Sequence, residues 1–151
     1  MRRFQQKRHI DAPVDRVWAI LTDVERWPEW TASMTRITPA DSGPLGPGAR
    51  FHIEQPKLKP AIWTVSLWEP KRRFAWGTTS AGVGVQGDHI IEERDGGCDV
   101  TIDLTLKGWL GGLIGIVSRK VIERYVRLES EGLKKRSESA VGEKAHSEAT
   151  V

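Results

Sequence analysis

The chain has 151 residues, with 23 Lys and Arg against 20 Asp and Glu, and a net charge of +3. That length suits one domain able to bury a core without a metal or disulfide staple, and so mild a charge, spread among acids, excludes the concentrated basic stripe of a nucleic-acid-binding surface. The longest apolar run, Trp109 to Val117, is too short for stable membrane insertion, since a spanning helix needs about 20 residues. The charged start MRRFQQKRHI does not read as a signal peptide, and the lone Cys98 cannot form an internal disulfide. The expectation is a cytoplasmic protein, monomer or homodimer.

In chain order, RFQQKRHID (3–11) reads as a first strand. DAPVDRVWAILTD reads as a helix: Pro13 suits the first turn, where its missing N–H costs nothing, and Val14, Val17, Trp18 and Leu21 form one apolar stripe. Pro28 forbids that helix from continuing, so a bend and a second short helix or turn carry Trp30. From about Ser33 to Lys107 the period becomes two, with turn-rich breaks at DSGPLGPG, EPKR, AGVG and DGG, which is the pattern of an antiparallel sheet with short connections. Leu110 to about Arg136 reads as a long helix whose stripe is Leu110, Leu113, Ile114, Val117, Val121, Tyr125 and Leu128. The domain is thus expected over 1–136, and the small polar residues 137–151 as a disordered tail.

Counting outward from the hairpin loops assigns the sheet faces. With loops at Gly96-Gly97, Ala81–Gly84 and Glu69–Arg72, His89 faces Leu104, Trp76 faces His89, and Leu67 faces Phe74. One face then carries Trp63, Val65, Leu67, Phe74, Trp76, His89, Ile91, Val100, Ile102 and Leu104. Thr64, Ser66, Thr101, Asp103 and Thr105 lie on the other. A one-residue slip would expose the whole apolar set, which pins the register.

His89 is the titratable group among the apolar side chains of that face and the candidate for proton transfer; Glu93, on the same face and toward its rim, is about 13 Å away and cannot touch it. A buried histidine bonded to a neighbour or to water is the competing reading. GVGVQG (82–87) matches G-x-G-x-x-G, but a strand follows where a dinucleotide site needs a helix, so no cofactor is expected. His9, His52, His89 and His146 have no metal-ligand spacing, and no metal is expected.

IDAPVDRVWAILTDVERWPEW, with RFAW, the GG…DVTIDLTLKG hairpin and GWLGGLIG, resembles the polyketide cyclase/dehydrase and lipid-transport family of the START-like (Bet v 1-like, SRPBCC) superfamily. The resemblance implies an α+β helix-grip fold: a curved antiparallel sheet of six to seven strands wrapped around the C-terminal helix, two short helices between strands 1 and 2, and a cavity for a hydrophobic ligand. Its walls would be the ten residues of the apolar sheet face together with Leu113, Val117, Val121 and Tyr125 of the helix. Trp18 is expected in the core, Trp30 at the cavity rim and Trp27 half exposed. The implied function is binding of a lipid, polyketide or similar molecule, as a carrier or sensor. The alternatives are a cyclase or aromatase using His89 as its proton-transfer group, and an interaction protein with a filled core.

Overall fold

Period-two alternation becomes seven strands in one antiparallel sheet, and the computed structural model describes residues 2–111, 114 and 118–150, with side chains through 139. The order along the chain is β1 (Arg2–Ile10), α1 (Val14–Thr22), a 3-10 turn (Val24–Glu29), β2 (Arg36–Pro39), β3 (Arg50–Glu54), β4 (Ala61–Glu69), β5 (Arg73–Ser80), β6 (Val83–Arg94), β7 (Gly97–Lys107) and α2 (Arg119–Thr150). In space the strands run β1-β7-β6-β5-β4-β3-β2. The curved sheet grips α2, which packs over β1, β7 and α1. This is the expected α+β helix-grip arrangement.

One hairpin loop is tighter than the sequence count assumed, two residues in place of four, and the other keeps its two residues but sits one position earlier. Asp95 and Gly96, at φ 50° and 79°, form a two-residue turn, as do Ala81 and Gly82 at φ 44° and 83°. Positive φ at both central residues matches strand twist in a two-residue hairpin, which is why Asp-Gly is so strong a turn signal. His89 therefore pairs with Ile102 and Phe74, and Trp76 with Gly87. Each pairing moves by two residues, an even number, so the predicted faces survive. An irregularity between Val65 and Leu67 is different: beyond it Trp68, not Leu67, stands opposite Phe74. Such an extra residue turns the following side chains to the other face.

Two helix expectations are corrected. The buried stripe of α2 is Ile122, Val126, Glu129, Leu133 and Ser137, one position round from the apolar stripe Val121, Tyr125, Leu128, which is only half buried. Leu113 and Val117 lie outside the described residues. The chain does not fray at Arg136 either: α2 continues, Ser137 is fully buried, and the Glu138 carboxylate accepts from Lys134 Nζ at 3.0 Å and from the Asp11 amide at 3.4 Å.

On the outer sheet face Asp88 and Asp103 stand opposite each other, held by Arg73 and Arg3 respectively. Nearby, His9 Nδ1 lies 2.8 Å from Asp99 Oδ1. That hydrogen bond, more than charge alone, raises the His9 pKa and lowers that of Asp99. The pair's stabilisation is full below the ordinary histidine value of about 6.5, fades as pH climbs through the raised folded value, and fades again in acid as Asp99 protonates. The melting-temperature gap between wild type and His9→Gln should therefore be larger at about pH 5.5 than at about pH 9; a gap that grows with pH contradicts it.

Candidate functional site

The elements converge on one apolar hollow between the sheet and α2, with a volume of about 160 Å³. Strands β4 to β7 supply Trp63, Trp76, Val83, Val85, Ile102, Leu104 and Leu106, while α2 supplies Ile122, Tyr125, Val126 and Glu129. The segment after the 3-10 turn adds Met34, and β3 with its following loop adds Ile53, Gln55 and Leu58. Alternation on the strands aims these side chains inward.

His89 marks the deep end and is 2 % exposed. Its ring stacks on Phe74, its partner across the strand pair, at 4.4 Å between centroids and 16° between planes. Trp27 meets it edge-on at 5.4 Å. Its Nδ1 lies 3.2 Å from the Phe74 carbonyl oxygen, and its Nε2 lies 2.8 Å from Glu129 Oε1. A carbonyl only accepts, so Nδ1 carries hydrogen and donates. Two proton arrangements then satisfy the other bond: imidazolium with carboxylate, or neutral imidazole accepting from a carboxylic acid. Either way one proton sits between Nε2 and Oε1 in a nearly dry site. Chemically, such a pair can anchor a polar group or pass a proton.

Glu129 is the residue that sequence reasoning missed. Its signal was present: Ile122, Val126 and Leu133 are spaced for one helix face, and Glu129 completes that face as its only acid. Choosing the purely apolar stripe passed over it.

Of the sheet residues expected to line the cavity, Trp63, Trp76, His89, Ile102 and Leu104 do so, and Tyr125 joins them from α2. The Tyr125 hydroxyl donates to the Pro56 carbonyl and ties the β3–β4 loop to the helix. Val65, Phe74, Ile91 and Val100 are instead buried in the packed core. Leu67 is turned aside by the irregularity in β4. Val121 lines a shallow hollow with Pro56, Lys57 and Leu128. Trp27 is completely buried, contrary to expectation, and donates its indole N–H to the Leu21 carbonyl at 2.9 Å. Trp30 lies not at the cavity rim but in a separate groove between α1 and α2, bordered by Arg16, Arg26 and Arg136. Trp18 packs against Trp68 with ring centroids 5.1 Å apart and planes tilted by 58°, partly buried.

Cys98 is fully buried, and desolvation pushes its thiol to about 11, so it is no nucleophile near neutrality. No group of three or more His, Cys, Asp or Glu among the described residues is arranged to hold a metal ion, and no helix there is long and apolar enough to cross a membrane.

The family model for polyketide cyclase/dehydrase and lipid transport matches residues 1–138. The chain belongs to that family. Among solved structures, this family member is similar to the Thermus thermophilus protein TTHA0849, at 18 % identity and a TM-score of 0.75, with 92 % of this chain and 99 % of that one covered. A START superfamily protein from Mycobacterium smegmatis matches at 12 % identity and a TM-score of 0.72, covering 91 % and 98 %. The di-domain aromatase/cyclase StfQ of the steffimycin biosynthetic pathway matches at 13 % and 0.74, covering 93 % of this chain and 51 % of StfQ. At these identities the likeness is one of fold. No curated protein matches the sequence.

Proposed function

We propose that this family member binds a small hydrophobic molecule between its sheet and α2, as a carrier or sensor. The observation that carries this reading is an apolar hollow of about 160 Å³ ending on a buried His89–Glu129 pair. Binding sites are mostly apolar with a few polar groups that fix orientation, and that is the composition here. Cys98, buried and without a disulfide partner, favours a reducing compartment, the cytoplasm. Native mass spectrometry of the protein incubated with an apolar metabolite extract tests the reading. Wild type should carry a bound small molecule, and Val85→Phe, which fills the hollow, should not. Wild type that stays empty, or an adduct unchanged in Val85→Phe, overturns it.

The His89–Glu129 contact also favours a second reading, a cyclase or dehydratase in which the pair moves a proton. Turnover of a bound molecule that disappears in His89→Ala while binding persists would carry that reading over the first.

A further inference from the structure

The volume of the cavity and the one free oxygen of its polar end together say what kind of molecule enters. A protein cavity of about 150 Å³ lined by aliphatic and aromatic side chains accommodates benzene, whereas drug-sized ligands occupy roughly 300–1,000 Å³. At about 160 Å³, this hollow has room for one ring and a substituent. Two flat indoles, Trp63 and Trp76, stand in its wall with ring centroids 6.0 Å apart. At Gly87 the missing side chain leaves the Trp76 edge bare, since a Cβ there would lie 3.3 Å from its indole nitrogen.

Both nitrogens of His89 are already committed, to Phe74 O and Glu129 Oε1. Among the described residues, the only buried side-chain polar atoms without a partner are Asp103 Oδ1 and Ser137 Oγ; Asp103 borders the hollow from β7, but its other oxygen is held by Arg3 and Gln5 of β1. Glu129 Oε2 accepts from none of the described donors, and Glu129 lines the cavity, which leaves Oε2 as the pair's atom with capacity for an occupant. In both proton arrangements of the pair, Oε2 is an acceptor: a carboxylate oxygen in one, the carbonyl of the acid in the other. The polar end therefore asks its occupant for a hydrogen, which a carboxylate does not carry.

We propose that the ligand is a neutral single-ring alcohol or phenol whose hydroxyl donates to Glu129 Oε2 while its ring lies against Trp63 and Trp76. This rests on the ligand-binding reading above and narrows it. A multi-ring or long-chain molecule is too large for the hollow, an isosteric hydrocarbon leaves Oε2 unpaired, and a carboxylate sets acceptor against acceptor with no hydrogen between them.

Calorimetric titration with five probes tests it: p-cresol, p-xylene, benzoate, the three-ring phenol alizarin, and oleate. p-Cresol should bind at least about tenfold tighter than p-xylene, because a site built for a hydroxyl rejects the analogue without one. Benzoate, alizarin and oleate should not bind. In the double variant His89→Phe/Glu129→Leu the preference for p-cresol over p-xylene should vanish, and in Val85→Phe all binding of p-cresol should be lost. Equal affinity of wild type for p-cresol and p-xylene overturns the hydroxyl anchor, and tighter binding of benzoate overturns the neutral ligand. Alizarin or oleate binding where p-cresol does not overturns the ligand class while leaving a ligand-binding function standing. Failure of all five probes, with no adduct by native mass spectrometry, overturns both. p-Cresol affinity that survives in Val85→Phe places binding elsewhere and overturns the assignment.

Discussion

Glu129→Leu alone is expected to destabilise the fold by about 3 kcal/mol, while the double variant His89→Phe/Glu129→Leu recovers most of that loss. Removing one member of a buried pair leaves the other's polar valence unmet, whereas replacing both with apolar side chains of similar volume is often neutral or stabilising. Glu129 and His89 are 8 % and 2 % exposed, so neither can turn to water for compensation. For a domain of this size the single variant should melt roughly 6–12 °C lower by calorimetry. If the double variant is no more stable than the single, the pair is a structural necessity. If it recovers, the pair adds little net stability to the fold, and its presence is explained by what it does for an occupant of the cavity. Both nitrogens of one imidazole are held by fixed partners, and Phe74 clamps the ring from one side at 4.4 Å. Such holding is what a binding or proton-transfer group requires and what a filler residue does not.

Gly132→Ala is expected to destabilise, although the same change in an exposed helix interior would stabilise by about 1 kcal/mol. Gly132 lies on α2 where the Trp30 backbone crosses it, and a Cβ there would come within 1.9 Å of the Trp30 carbonyl oxygen. The obstacle is backbone, which cannot swing aside like a side chain. Overpacking of this kind costs about 1–3 kcal/mol beyond the propensity gain, equivalent to a drop of roughly 2–12 °C in melting temperature at this size. A rise on scanning calorimetry would show that α2 and the tryptophan corner do not meet as described. This contact also gives VERWPE its place in the fold. The 3-10 turn buries Trp27 behind His89 and Trp76, and then brings the Trp30 carbonyl against α2.

Period-two patterning exposed the sheet faces because they depend only on parity. Both hairpin loops were centred one residue too far along, which moves each pairing by two, and the faces came through unchanged. Parity is blind to an inserted residue, however, and the irregularity before Leu67 exchanged it for Trp68. The helix was harder to read because hydrophobicity and burial part company on it. Its inward face includes Glu129, Ser130 and Ser137, polar side chains that a search for apolar stripes skips. Trp27 was misjudged because nothing local tells which of two tryptophans flanking a proline turns inward; that depends on Phe74 and Trp76, some 50 residues away. The candidate site suffered most, since its two polar members lie 40 positions apart and only the packed fold brings them to 2.8 Å.

β1 lies at one edge of the sheet and pairs with β7, with Ile10 opposite Cys98 and Arg2 opposite Leu106. During synthesis, at about 5–20 residues per second, β1 leaves the ribosome several seconds or more before its partner exists. Its alternate apolar residues Phe4 and Ile10 stay uncovered for that interval, and α2, which covers them, comes later still. Until β7 emerges β1 is unpaired on both sides, and its cations Arg2, Arg3, Lys7 and Arg8 are the kind of side chains that keep such a strand from pairing with other chains.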